Sequence, residues 1–170
     1  SPLETTRICN DKLRTIQHFK DIISTPKVFL SHELISDEDF PLFVKPRISR
    51  GSRNTYKVSN NSQLLSLIGY LKSINLPVDK LLISEYLPGR EYTIEALCDI
   101  NGKCVVGIPR TRLAVQGGVC SVGEVVRNEK IIDITKKISD NLTFIGPINI
   151  QLKEDKLGNY KIMEINPRIA

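Results

Sequence analysis

At 170 residues and 41% hydrophobic content, the chain can bury one sizeable core, or two small lobes sharing a cleft, and is no disordered tail. Its 24 Lys and Arg against 19 Asp and Glu leave a net charge of +5, dispersed among acidic residues in a way that suits an anionic ligand. With only 6% aromatic residues there is no stacking platform, so nucleic acid is not the expected partner. No apolar run approaches the roughly 18 residues of a spanning helix, and the first residues lack the order of a secretory signal. A soluble, cytoplasmic protein with no membrane partner is therefore expected. The cysteines, Cys9, Cys98, Cys104 and Cys120, form no C-x-x-C pair and read as small thiols of a reducing compartment.

In chain order, Ile8, Leu13, Ile16, Phe19 and Ile23 recur at helical spacing and predict an amphipathic helix from about Thr6 to Ile23, ending before Pro26. Lys27 to Leu30 predicts a short edge strand. Leu42-Phe43-Val44-Lys45, bounded by Pro41 and Pro46, and Thr55 to Val58 predict a hairpin, joined by an Arg-, Ser- and Gly-containing loop longer than a tight turn needs. Leu64, Leu65, Leu67, Ile68, Leu71 and Ile74 mark a helix over 62–74. After Pro77 strands dominate: Leu81 to Glu85, Glu91 to Asp99, and Lys103 to Ile108, the last two joined through Asn101-Gly102, a strong hairpin signal. A helix from Ile131 to Leu142 precedes a closing hairpin of Pro147 to Leu152 and Tyr160 to Ile165.

This order predicts an α+β fold. The expected boundary falls at Glu85-Tyr86-Leu87-Pro88-Gly89. It divides residues 1–85, with the first helix, the looped hairpin and the second helix, from residues 86–170, an antiparallel sheet carrying a metal site. A ligand cleft between the lobes is expected, since pockets favour such seams.

In the closing hairpin Asn149, Gln151 and Lys153 share one face of their strand, and Ile162, Glu164 and Asn166 one face of the partner. With the turn centred on Leu157 and Gly158, Gln151 falls opposite Glu164. A carboxylate and two amide oxygens are hard donors suited to magnesium completed by nucleotide phosphates. The alternative is a polar strand end facing solvent. Lys45 reads either as a cation beside a phosphate-binding loop or as a surface charge. Glu85 and Glu91 read either as ligands of a nucleoside or as exposed carboxylates around a turn.

Five segments taken in order resemble the ATP-grasp superfamily, in particular the part related to the carbamoyl-phosphate synthase large subunit. They are Asn10-Asp11-Lys12; Phe43-Val44-Lys45-Pro46-Arg47 with Gly51-Ser52; Ile83 to Tyr92; Asn149-Ile150-Gln151; and Glu164-Ile165-Asn166-Pro167-Arg168. The resemblance implies an ATP-grasp fold of two α+β lobes with antiparallel sheets and a nucleotide cleft. It implies ATP and Mg2+, with Mn2+ as a substitute, as cofactors. Lys12 and Lys45 take the cationic positions around the phosphates, and Ser49, Gly51 and Ser52 belong to the loop over them. Glu85 and Leu87 meet adenine through backbone atoms with Tyr86 between them, and Glu91 holds the ribose. Gln151, Glu164 and Asn166 match the magnesium positions. Arg168 faces the transferred phosphate and, with Lys45, matches a catalytic role. Such enzymes phosphorylate a carboxylate and let an amine attack the acyl phosphate, so the partners implied are small-molecule carboxylate and amine substrates.

The phosphate loop carries Arg53-Asn54 where the family usually has small residues. No histidine stands near Gly117-Gly118-Val119-Cys120-Ser121, which argues against carbamoyl-phosphate synthesis itself. Arg110 and Arg112 read as contacts to an acidic substrate or as surface charges on a strand end. The family's usual N-terminal and C-terminal parts are expected as missing portions of the same enzyme, leaving the fragment's activity open, and a homo-oligomer is a further alternative. A carboxylate-amine ligase module leads over a catalytically silent nucleotide-binding module, with a nucleic-acid-binding domain third.

Overall fold

The computed structural model describes residues 1–49, 51, 53–116 and 119–169. The chain divides into two compact units, one of residues 26–86 and one combining residues 1–25 with residue 87 onward.

The first unit is a four-stranded antiparallel sheet in the order β1-β4-β2-β3, with strands β1 (Val28–Phe29), β2 (Leu42–Pro46), β3 (Tyr56–Val58) and β4 (Leu81–Glu85). Helix α3 (Asn61–Ser73) starts where the Asn60 side chain accepts from the Gln63 N–H at 2.9 Å, satisfying one of the donors a helix start leaves open. Its Leu64 and Leu71 lie on one stripe and are fully buried with Leu42, Val44, Val58, Leu81 and Ile83. This core uses one face of the sheet.

The second unit is a five-stranded antiparallel sheet in the order β7-β6-β5-β8-β9: β5 (Glu91–Cys98), β6 (Cys104–Gln116), β7 (Val119–Val125), β8 (Gly146–Glu154) and β9 (Tyr160–Asn166). Helices α1 (Leu3–Asn10), α2 (Lys12–Phe19) and α4 (Glu129–Asn141) supply Cys9, Phe19, Ile131 and Ile138 to a core. The alternate residues Tyr92, Ile94, Ala96 and Cys98 of β5 and Ile148, Ile150 and Leu152 of β8 complete it. Helix α4 approaches β6 closely at Gly107, where a Cβ would lie 3.3 Å from Thr135 Cγ2.

Four features differ from the sequence expectation. The first helix is two helices. At Asp11 the backbone is extended and the side chain accepts from the Leu13 N–H at 3.0 Å and the Arg14 N–H at 3.4 Å, so this residue closes α1 and starts α2. Residues 1–25, expected with the first lobe, belong to the five-stranded unit, because the apolar stripes of α1 and α2 are buried on that sheet. The strand expected over 103–108 runs on to Gln116 and turns back as β7, which no local alternation announced. In β9, Ile162 faces the core while Glu164 and Asn166 face the other way, because the register shifts between Gln151 and Leu152.

Candidate functional site

The face of the five-stranded sheet opposite its core carries the polar residues that strand alternation excludes from that core. Gln151 pairs in register with Glu164, and Asn149 with Asn166, so one carboxylate and three amides lie side by side on β8 and β9. Among the described residues no group of three or more His, Cys, Asp and Glu is placed to hold a metal. The oxygen set here has a single carboxylate. It fits magnesium, which typically binds through one or two carboxylates and completes its shell with water and phosphate.

Lys12 joins this set. Its Nζ lies 3.5 Å from the Glu164 carboxylate, and its side chain is only 6% exposed. It occupies the first turn of α2, where the helix dipole disfavours a cation. Asp11 at the helix start and Glu164 on β9 supply the compensating negative charge, so Asn10-Asp11-Lys12 is a local device that aims an ammonium at the β8-β9 ribbon.

On β5 and β6 the same face carries two ion pairs. Glu91 accepts from Arg112 Nη1 and has Lys153 Nζ at 3.9 Å. Glu95 Oε1 accepts from Arg110 Nη2 at 3.1 Å and from Asn149 Nδ2 at 2.8 Å. Arg110 and Arg112, weighed as substrate contacts, each meet a glutamate of the neighbouring strand. Sequence reasoning missed Glu95 and the roles of Asn149 and Lys153. The signal was present in the four-residue spacing of Glu91 and Glu95, which places both on the face that β8 fills with Asn149, Gln151 and Lys153. Arg168 is exposed and turned along its own segment, donating to the Ile169 carbonyl at 2.8 Å and to Asn166 Oδ1 at 3.4 Å.

Lys45 lies on β2 of the four-stranded unit, 6% exposed, with Nζ 5.7 Å from the Phe43 ring centre. In the loop that follows, Ser49 is half-buried and Gly51 has φ +66°, a left-handed backbone that favours glycine. Ser52 and the Gly117-Gly118 pair lie outside the described residues. Glu85 closes β4; its N–H donates to the Lys27 carbonyl at 2.9 Å and its Oε1 accepts from the Lys27 N–H at 2.8 Å. A backbone contact from Glu85 to a base therefore has to use its carbonyl oxygen. Tyr86 has Lys57 Nζ 4.2 Å from its ring centre. Leu87 is buried and opens the return of the chain into the five-stranded unit. Just beyond it Gly89 N donates to the Glu154 carbonyl at 3.1 Å, an approach so close that a Cβ at Gly89 would sit 2.5 Å from Glu154 Cβ.

Two sheets of this topology, with these motifs in this order, define a class. Residues 77–170 match the family model described as "ATP-grasp in the biosynthetic pathway with Ter operon", and the chain belongs to the ATP-grasp family. It is 34% identical over 141 residues to the carbamoyl phosphate synthase large chain of Thermoanaerobacter sp. (strain X514), covering 77% of this chain and 13% of that protein. Its fold is similar to the biotin carboxylase domain of Hydrogenobacter thermophilus 2-oxoglutarate carboxylase, solved with MgADP and bicarbonate. That match has a TM-score of 0.79 at 16% identity and covers 96% of this chain and 41% of the other. It is also similar to an L-amino acid ligase from Bacillus licheniformis, with a TM-score of 0.73 at 20% identity over 100% of this chain and 43% of that one. The chain thus spans 13% of the first of these relatives and less than half of the other two. No helix among the described residues is long and apolar enough to cross a membrane.

Proposed function

We propose that this chain is the Mg-ATP-binding part of a carboxylate-amine ligase, or of a carbamoyl-phosphate synthase-like ligase, that works through an acyl phosphate. The observation that carries the reading is the β8-β9 ribbon, where Gln151 and Glu164 stand in register with Lys12 Nζ 3.5 Å from the Glu164 carboxylate. Family membership supports it.

In this reading Gln151, Glu164 and Asn166 hold the magnesium, which when bound neutralises phosphate charge and orients the transferred group. Lys12 and Lys45 donate to the phosphates, and Ser49, Gly51 and Ser52 belong to the loop beside them. The Glu85 carbonyl and Leu87 backbone meet the adenine edge, next to Tyr86, and Glu91 accepts from the ribose hydroxyls. The Arg112 and Lys153 contacts hold the Glu91 carboxylate in one orientation for that purpose. Arg168 leaves its local carbonyl contact to meet the transferred phosphoryl group. No side-chain nucleophile is required, since phosphoryl transfer calls mainly for positioning and charge neutralisation.

The test is ADP release with magnesium by the full-length protein across a panel of amino acids and small carboxylic acids. Turnover that depends on one acid and one amine is the expected result. Magnesium-dependent ATP binding without turnover on any acid would replace the ligase with a silent nucleotide-binding module.

A further inference from the structure

Two cysteines unused by this function face one another. Cys98 ends β5 and Cys104 begins β6, and the two are register partners across the Asn101-Gly102 turn. The next pair outward, Asp99 and Lys103, is joined by an N–H to carbonyl hydrogen bond of 2.9 Å. By the alternation of an antiparallel ladder, Cys98 and Cys104 are then a non-hydrogen-bonded pair. In such pairs Cα atoms lie about 4.5 Å apart and side chains are at their closest. A disulfide accepts Cα separations of about 4.4–6.8 Å, a range that includes such a pair, and the register shift between Leu97 and Cys98 falls on the side of the pair away from the turn. Both side chains point to the same side of the sheet, Cys98 in the core and Cys104 packed at its edge, and both are free thiols.

We propose that Cys98 and Cys104 form a two-electron redox pair that closes a disulfide across the β5-β6 hairpin when a peroxide is supplied. Cys104 is the attacking group. It is the more exposed of the two, although burial pushes its thiol up, an effect that the Cys98 thiol and Lys136 only partly offset. Cys98 is the resolving group; burial first, then Cys104 and Asp99, push its thiol up to about 11. The Cys104 thiolate attacks one peroxide oxygen and the O–O bond breaks, giving a sulfenic acid and a hydroxide that takes up a proton to leave as water. The Cys98 sulfur then displaces hydroxide from the Cys104 sulfur. That hydroxide takes the Cys98 proton and leaves as the second water. Two thiols are oxidised by two electrons and one hydrogen peroxide is reduced.

The sequence makes the product easy to detect, because Lys103 separates the cysteines and trypsin places Cys98 on residues 91–103 and Cys104 on residues 104–110. The experiment treats the folded 170-residue chain with hydrogen peroxide, blocks free thiols, digests without reductant and maps the peptides. A linked 91–103/104–110 pair that reductant separates is expected, absent from C104S and C98A. Its rate of formation should rise about tenfold per pH unit between pH 7 and 9, as the thiolate fraction grows. Full alkylation of Cys98 and Cys104 after oxidation would overturn the proposal. So would independent over-oxidation of the two, or a dominant link from either one to Cys9, Cys120 or a second chain.

Discussion

Replacing Glu164 by glutamine keeps the shape of the side chain and removes its charge, which separates two roles assigned to one carboxylate. In the free protein that carboxylate lies 3.5 Å from a Lys12 ammonium whose side chain is 6% exposed, while the Glu164 side chain is 24% exposed. At this separation an effective dielectric constant of about 20 gives an attraction of about 5 kcal/mol. Solvent reaches the glutamate side, and desolvation of both ions offsets most of the attraction, so the net loss in E164Q is about 1–2 kcal/mol. For a chain of this size that lowers Tm by about 3–6 °C. The ligand effect is opposite in sign. Wild-type protein at an Mg-ATP concentration 100 times its Kd gains about 2.7 kcal/mol, or about 5–10 °C. If the substitution weakens binding about 100-fold, the same concentration yields only about 0.4 kcal/mol, a shift of about 1 °C. Thermal melts of both proteins with ATP, with and without magnesium and with chelator, measure each quantity. An E164Q protein that gains as many degrees from Mg-ATP as the wild type would refute the metal assignment, whatever its stability without ligand.

Gly89→Ala places a Cβ 2.5 Å from Glu154 Cβ and 2.9 Å from the Glu154 carbonyl oxygen, and should cost about 2–3 kcal/mol in urea unfolding. An unchanged midpoint would show that the 86–90 segment yields freely. Lys45→Met should raise the apparent Kd for Mg-ATP by about tenfold or more while leaving the far-UV circular dichroism unchanged; unaltered affinity would remove Lys45 from the phosphate role. The Asp39 carboxyl is held down to about 2 from its ordinary 3.8, first by the hydrogen bond from Lys27 and then by Ser36. A depressed folded-state value contributes stability that is present above pH 3.8 and lost as pH falls toward 2. The Tm difference between wild type and Asp39→Asn should therefore shrink over that interval; a difference constant from pH 5 to pH 2 would contradict the assignment.

Much of the second unit was legible in the sequence because its signals are local. Asn101-Gly102 marked the β5-β6 turn, where Gly102 has φ +85°, and alternation over 148–153 put Gln151 opposite Glu164 as the structure has it. What escaped depends on contacts distant in sequence. Periodicity from Thr6 to Ile23 runs through Asp11 uninterrupted, and only its side-chain bonds to Leu13 and Arg14 show that one helix stops and another starts there. Nothing in the first 25 residues names the sheet that buries Cys9 and Phe19. The extra residue in β9 that turns Ile162 inward is invisible to a count of alternate positions. Arg110 and Arg112 read either as substrate contacts or as surface charges, and their pairing with Glu95 and Glu91 was not legible because those carboxylates are on another strand.

Strand β1 is only two residues long, yet it pairs the beginning of the 26–86 unit with its end. Residues 26–86 interrupt a unit made from the two ends of the sequence, and uniting those ends through a slack excursion of that length would carry a closure entropy. The pairing of Val28 with Ser84 brings the entry and exit of the excursion side by side. Once the four-stranded sheet has condensed, the segments before residue 26 and after residue 86 are joined as if by a short loop, which removes most of that closure entropy. A substitution that breaks β1 should consequently slow formation of the other unit, although it touches none of its residues.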